Sequence, residues 1–439
     1  MGTWPENKLL LNMSVPIMIS MLVQALYNVV DTFFVARYAG DVGTSALGLA
    51  FPVQNLMIAV AVGTGVGVNA LLSRSLGEKN QAKADKIGMQ GIVLAFACYV
   101  LFLLVGIFGT SPIVRAQSNQ ANVIGFAEDY LQICCVLSIG LFMQVIMERL
   151  LQSTGRTMLS MVTQGAGAIT NIILDPIMIE GWLGCPEFGI KGAAYATVIG
   201  QMVAGVVGLL CNIKRNPDLH LKIHNLIPDF RLLGHILLIG VPSIIMSAIG
   251  SVMTFSLNNI LRPLANGIGV AVFSVYFKLQ SFVFMPIFGL NNGMVPIIAY
   301  NLGAKKRDRI IKTIKLSVVY ATSIMAVGLL VFQLFPDQLL NLFKTDLTVG
   351  EPAFRIISLC FVFAGVSIVI CSVCQAVGKS FYSMFVSIGR QLVVLVPAAY
   401  LLSLSGNVNH IWWAFPIAEI LSLCMCLFFL RTVLKRLDF

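Results

Sequence analysis

Charged residues are sparse and clustered along this chain, and marking them leaves a succession of long apolar stretches. They run over residues 9–36, 45–73, 87–114, 130–147, 157–179, 192–213, 236–261, 268–303, 316–336, 356–378, 381–402 and 411–430. A helix needs roughly 20 apolar residues to cross the hydrocarbon core of a bilayer, so the pattern predicts twelve transmembrane helices. The first stretch holds Pro16 and Asp31, which makes it too long and too polar for the short apolar core of a cleavable signal. It is expected to stay as the first span.

Composition agrees with a chain that lives in lipid. Of 439 residues, 58% are hydrophobic and 11% charged, with a mean hydropathy of +0.89, whereas soluble domains carry about 25% charge. No long hydrophilic block remains for a separate soluble domain. A soluble enzyme, a DNA-binding protein and a receptor with a large ectodomain are thereby set aside, although the net charge of +10 and pI of 9.2 taken alone suggest nucleic acid. The basic excess has a topological explanation: the terminal and even-numbered connections hold 21 Lys and Arg, the other six hold 6. By the positive-inside rule both termini are expected in the cytoplasm, with the protein multi-pass in the cell inner (plasma) membrane. Nine of the ten cysteines fall in apolar stretches and Cys185 in a loop, so they read as small apolar filler and no disulfide framework is expected. The Cys371/Cys374 pair has no metal-ligand partners nearby in sequence and reads as packing.

The longest cytoplasmic connection separates two groups of six spans: an N-terminal lobe over 1–213, a linker over 214–235 and a C-terminal lobe over 236–439. The halves repeat. An offset of 226 residues places Val15-Pro16 on Val241-Pro242, Phe51 on Phe277, Gln54 on Gln280, Gly63 on Gly289, Gly67 on Gly293 and Leu76-Gly77 on Leu302-Gly303. After a slip of three residues, Gln152-Ser153-Thr154-Gly155-Arg156 falls on Gln375-Ala376-Val377-Gly378-Lys379. Six spans return the chain to its starting face, so these are parallel repeats about an axis along the membrane normal. Two such lobes suit a secondary transporter, and no GxxxxGK[ST] phosphate loop points to built-in ATP hydrolysis.

Acids inside a membrane cost about 2.5–3.5 kcal/mol each on insertion scales, and are functional candidates for that reason. Asp31 and Asp175 are expected at similar depth near the outer ends of spans one and five. Gln24, Asn28 and Asp31 share a helical stripe, Asn171 lies one turn before Asp175, and Thr197 on span six reaches the same level. Two carboxylates, a carboxamide and a hydroxyl are thus expected to converge in the N-terminal lobe. Such a set either ligates a small cation with hard oxygens or exchanges a proton. Pro176 removes a backbone donor directly after Asp175 and frees a carbonyl one turn back. Under the offset Asp31 falls on Leu257, so the lobes are not equivalent here; the second lobe carries Lys278, Arg390 and Glu419, which read equally as a charge network pairing Glu419 with Arg390 or Lys278 and as groups along the substrate path. The HxxxH of His220 and His224 lies in a loop without a completing ligand. Gly63, Gly65 and Gly67 read as close helix packing.

In this order and spacing the chain resembles the multidrug and toxic compound extrusion (MATE) family, and within it the MepA-like multidrug export branch. The carriers are Pro16, Tyr27-Asn28-Val29-Val30-Asp31-Thr32-Phe33, Ser73-Arg74-Ser75-Leu76-Gly77, Gln152-Ser153-Thr154-Gly155-Arg156, Asn171-Ile172-Ile173-Leu174-Asp175-Pro176, Gly192-Ala193-Ala194-Tyr195-Ala196-Thr197, Gly240-Val241-Pro242 and Asn301-Leu302-Gly303-Ala304. The resemblance covers nearly the whole sequence. It implies an all-α integral membrane protein, twelve helices in two six-helix lobes around a central cleft, exporting amphipathic, often cationic compounds in exchange for Na⁺ or H⁺. It further implies that Asp31, Asn171, Asp175 and Thr197 hold the coupling ion. Other branches place essential acids on spans seven, eight or ten; the apolar stretches 236–261, 268–303 and 356–378 contain none, which leaves the pair on spans one and five to carry coupling.

Gln24, Asn28, Phe51, Gln54 and Met57 are expected cleft contacts, with Phe277 and Gln280 opposite, and Pro16 and Pro176 are expected hinges. No cofactor, catalytic residue, bound structural metal or nucleic-acid partner is expected, only drugs, the bilayer and the coupling ion, for a monomer. A rival within transport is a flippase or exporter of a lipid-linked or other amphipathic metabolite. A membrane-embedded enzyme would need an in-span nucleophile with a base, a metal pair or an acidic diphosphate motif, none of which the sequence shows.

Overall fold

The computed structural model describes residues 1–118, 120–264, 268–341 and 346–435. The described residues form ten helices long and apolar enough to span a membrane, and twelve spans when each of two bent helix pairs is counted as one. In chain order these are α1 (Glu6–Gly40), α2 (Val42–Gly77), α3 (Gln81–Arg115), α4 (Ala121–Val136 and Ile139–Ser153), α5 (Thr157–Ile179) and α6 (Ile190–Arg215). They continue as α7 (Phe230–Leu261), α8 (Ile268–Gly303), α9 (Arg307–Leu334), α10 (Leu347–Ser358 and Phe361–Ala376), α11 (Ser380–Ser403) and α12 (Val408–Lys435). Local chemistry sets several ends. Gly40, at φ 55° and ψ −138°, makes the α1–α2 turn in a conformation open essentially to glycine alone. The Asn80 side chain caps α3 by accepting from the Lys83 amide, and Asp346 caps α10 by accepting from the Thr348 and Val349 amides.

Two spans extend well beyond their apolar stretches. Those expected at 130–147 and 356–378 are the bent pairs α4 and α10, with bends of 48° and 49°. Both continue through charged residues because the charges are matched: Glu128 accepts from Ser111 and pairs with Arg115 at 3.0 Å, and Glu351 pairs with Arg355 at 2.8 Å, one turn along α10. This also places Glu351 on span ten, which the apolar pattern alone leaves without an acid.

The chain divides into two compact units, and the division is not at the linker. One unit is Ile19–Ile244; the other is Met1–Met18 with Ile245–Phe439. Compared with the expected lobes 1–213 and 236–439, each unit takes the first part of the other repeat's opening helix. Glycines explain why. In the first unit, Gly63 and Gly67 on α2 lie against α7 at Gly240, Ile244 and Ile236, where any added Cβ would collide. In the second unit, Gly289 and Gly293 on α8 lie in the same way against Met18 and Ser14 of α1. These glycine positions are 226 residues apart, as are Ile244 and Met18, which Gly63 and Gly289 touch. Ion pairs repeat the arrangement: Lys86 on α3 holds Asp229, just before α7, at 2.6 Å, while Lys312 on α9 holds Glu6 of α1 at 2.9 Å. Even backbone strain is duplicated, with Lys79 and Lys305 both left-handed at φ 57° and 55°.

The linker is strapped to the first unit. Gln90 donates to the Asn225 and Ile227 carbonyls and accepts from the Asp229 amide, Asp85 accepts from the His220 amide, and Leu219 is buried. His220 therefore serves this strap, its ring 3.5 Å from Asp85.

Candidate functional site: a buried oxygen cluster in the first unit

Two helices whose backbones touch build the site. A Cβ on Gly167 of α5 or Gly200 of α6 would come within 2.8 Å of the other glycine's carbonyl oxygen, and Gly192 abuts the Met178 carbonyl. This close seam places Asn171, one turn beyond Gly167, beside Thr197, nearly one turn before Gly200. The Asn171 Nδ2 donates to Thr197 Oγ1 at 3.4 Å. Asp175 follows one turn later on the same face of α5 and is fully buried, with Asn171 2% exposed. Asp31 arrives from α1, near enough for its charge to act on Asp175. The four residues expected to converge do so within one unit.

Several of their oxygens lack donors. Asp31 Oδ1, Asn171 Oδ1 and both carboxylate oxygens of Asp175 are buried and have no hydrogen-bond partner. An unsatisfied buried polar group costs about 1–3 kcal/mol, more when charged, so four at one place call for a positive ligand. Pro176 adds an acceptor, because the Ile172 carbonyl has no N–H to receive from position 176. Hard carboxylate and carbonyl oxygens suit Na⁺, and two carboxylates within electrostatic reach of each other equally suit uptake of a proton. Among the described residues no group of three His, Cys, Asp or Glu is placed to hold a metal ion.

Uncharged polar residues support the cluster. Tyr130 of α4 shares a hydrogen bond with Thr197 and receives one from Gln54 Nε2 at 3.2 Å. Gln164 of α5 donates to Gln24 of α1 at 2.8 Å. Gln24, Tyr27, Gln144, Gln164, Asn171 and Thr197 are among the residues around a cavity of about 20 Å³, room for a water-sized particle. Of these, sequence reasoning found Gln24, Asn171 and Thr197. It missed Tyr130, Gln144 and Gln164, which carry no charge to mark them in an apolar helix.

A family model described as MatE matches residues 16–177 and 242–401. The chain belongs to the MatE family. The two matched segments begin at Pro16 and Pro242, the same 226-residue offset as the internal repeat. The chain is 26% identical over 413 residues to the multidrug export protein MepA of Staphylococcus saprophyticus subsp. saprophyticus, spanning 93% of this chain and 90% of that protein. It is also 26% identical to the MepA of Staphylococcus aureus strain MRSA252, over 96% of this chain and 92% of that one. Among solved structures, an outward-facing multidrug resistance MATE family transporter of the MOP superfamily shares the fold with a TM-score of 0.93 at 23% identity, covering 99% of this chain and 97% of that chain. The protein is thus a multi-pass MATE transporter rather than an enzyme.

The remaining expected residues of this MATE chain fall in different settings. Asn28 and Phe51 are exposed and Gln24 and Gln54 half-buried on the first unit, but Met57 is 3% exposed inside that unit's apolar core, a packing role rather than a cleft contact. Phe277 and Gln280 belong to the second unit, where Phe277 packs edge-on against Phe273 at 5.2 Å. Glu419 pairs with Arg390 at 2.8 Å, and Lys278 is exposed and outside that pair. Leu257, the repeat counterpart of Asp31, is 1% exposed in the second unit's core. Pro16 lies two residues before the chain leaves one unit for the other, and Pro176 lies inside α5. All ten cysteines are free, and the sulfur facing Cys371 is that of Cys426, at 3.9 Å.

Proposed function

We propose that this protein is a secondary active antiporter of the plasma membrane, acting as a monomer with both termini cytoplasmic, that exports amphipathic, cationic compounds in exchange for Na⁺ or H⁺. The observation that carries this reading is the cluster of four donorless oxygens from Asp31, Asn171 and Asp175, held together by the glycine seam between α5 and α6. Loaded with one monovalent cation, the pair of carboxylates keeps a single negative charge; emptied, it carries two like charges side by side. The cation thereby favours one conformational state and the exported compound another, and two ligands that prefer different states of one equilibrium are coupled. The two MepA relatives are named for multidrug export, which supports drugs as the substrate class. The exposed Asn28 and Phe51 and the half-buried Gln24 and Gln54 offer aromatic and polar contacts on the same unit.

The test is ethidium transport in proteoliposomes under a Na⁺ gradient or a pH gradient, imposed separately. Wild type is expected to respond to one gradient, and Asp31→Asn and Asp175→Asn to lose at least about 90% of that transport, as expected for loss of an intramembrane coupling acid. Gradient-driven transport intact in both variants would refute the coupling site.

A further inference from the structure

Glu148 is a further carboxylate of the first unit, half-buried on the second segment of α4 and five residues before its end. The proposed coupling site does not use it, yet the structure connects the two. Gln144, one turn earlier on α4, lines the same cavity as Asn171 and Thr197, and its Nε2 donates to Glu148 Oε1 at 3.0 Å. Tyr27, on the wall of that cavity, lies within electrostatic reach of Asp31, Asp175 and Glu148 together. Asn171 is 2% exposed, and its Oδ1 has no partner although the residue lines the cavity. Among the described residues, the titratable or charged groups within electrostatic reach of Glu148 are Tyr27 from α1 and Arg149 beside it on α4. Arg149 donates to Gln152 at 3.0 Å, so its guanidinium is partly engaged elsewhere.

We propose that Glu148 is a second cation station on the inner side of the aspartate cluster, receiving the coupling cation through the glutamine-lined cavity before it reaches the cytoplasm. This rests on the coupling reading above. The ligand is a small monovalent cation. For Na⁺, oxygen contacts to Asp31 and Asp175 are exchanged for contacts to Glu148; for a proton, an O–H bond breaks at an aspartate and forms at Glu148. Either way the aspartate pair regains its negative charge and Glu148 is neutralised until the cation leaves. The carboxamides of Gln24, Gln164 and Gln144 present dipoles along this route without a fixed charge to trap the cation.

The test is Glu148→Gln in full-length protein reconstituted in proteoliposomes, with ethidium transport driven by Na⁺ and by pH gradients in separate arms. The arm that drives wild type names the cation. In that arm the variant is expected to turn over about 10- to 100-fold more slowly, with the half-saturating ethidium concentration unchanged and Glu148→Asp recovering much of the rate. Gln preserves size and hydrogen bonding, so a purely structural role would leave turnover near wild type. Should Glu148→Gln fold poorly, Gln144→Leu, which obstructs the cavity and leaves the carboxylate in place, is expected to slow turnover to a similar extent. Wild-type turnover in Glu148→Gln, or equal slowing in Glu148→Gln and Glu148→Asp, would overturn the inference. If Asp31→Asn abolishes transport while Glu148→Gln does not change it, the second station alone is wrong; if neither matters, the coupling reading itself fails.

Discussion

At the scale of single residues, this membrane interior treats its charges in two opposite ways. Arg390 and Glu419 neutralise each other at 2.8 Å, with side chains 24% and 11% exposed. Breaking such a pair strands one charge, so Glu419→Ala is expected to destabilise the protein by about 2–4 kcal/mol, whereas the Arg390→Met/Glu419→Leu double variant recovers most of that loss. Thermal unfolding in detergent checks this, and equal losses in single and double variants would contradict it. Asp31 and Asp175 are like charges for which no ion pair is seen among the described residues, an arrangement that lowers stability and that the proposed coupling role would account for. Asp175→Asn is therefore expected to be more stable than wild type by about 1 kcal/mol in Na⁺-free buffer at neutral pH, since it removes one buried like charge. A lower melting temperature for that variant would mean the carboxylate has a protein partner after all.

Among the elements, the seam between α5 and α6 determines whether the site exists. Gly200→Val would force the two backbones apart, and because overpacking costs about 1–3 kcal/mol, transport is expected to fail before folding does. Dye transport measured beside melting temperature separates the two effects, and unimpaired transport would show that the seam does not position Asn171. The strap between α3 and the linker makes a pH-dependent prediction. The hydrogen bond from Lys86 is the main influence holding the Asp229 carboxyl below its ordinary value of 3.8, with amides of the α7 N-terminus assisting. A depressed carboxylate pKa contributes stability that is complete above the unfolded value and lost as pH falls through the folded one. Amide exchange over residues 219–229, corrected for intrinsic rates, is accordingly expected to be unchanged between pH 7 and 5 and to accelerate only below about pH 4. Much of this level was legible in the sequence: twelve apolar stretches became twelve spans, and lone acids marked Asp31 and Asp175. The ends of α4 and α10 were hidden because paired charges inside a helix look like a loop, and Glu148 was hidden next to Arg149 for the same reason. Met57 was misread because helical spacing does not say which apolar side faces the unit's own core.

For the whole molecule, what the pattern of spans did not disclose is the exchange of helix beginnings between repeats. Apolar periodicity fixes where a helix runs and leaves its partner open, so the linker was the natural boundary, yet the units change over at Met18/Ile19 and Ile244/Ile245. Each changeover falls two residues after a proline, Pro16 in α1 and Pro242 in α7, where the missing N–H weakens the helix and permits bending. If the units shift during transport, these two places must absorb the change. They are equivalent by repeat but unequal in consequence, because α1 continues into Asp31 and α7 into the buried Leu257. On the proposed coupling reading, bending α1 alters the cation site, whereas bending α7 alters only packing. Pro16→Ala is therefore expected to slow gradient-driven ethidium transport by about tenfold, equivalent to about 1.4 kcal/mol, and Pro242→Ala by about twofold or less, with both variants folded. The decisive comparison is turnover against cation binding measured on the same preparations. Slower turnover with cation binding retained in Pro16→Ala identifies α1 as the element that links site to motion, and equal effects at the two prolines would show that the link does not run through Asp31.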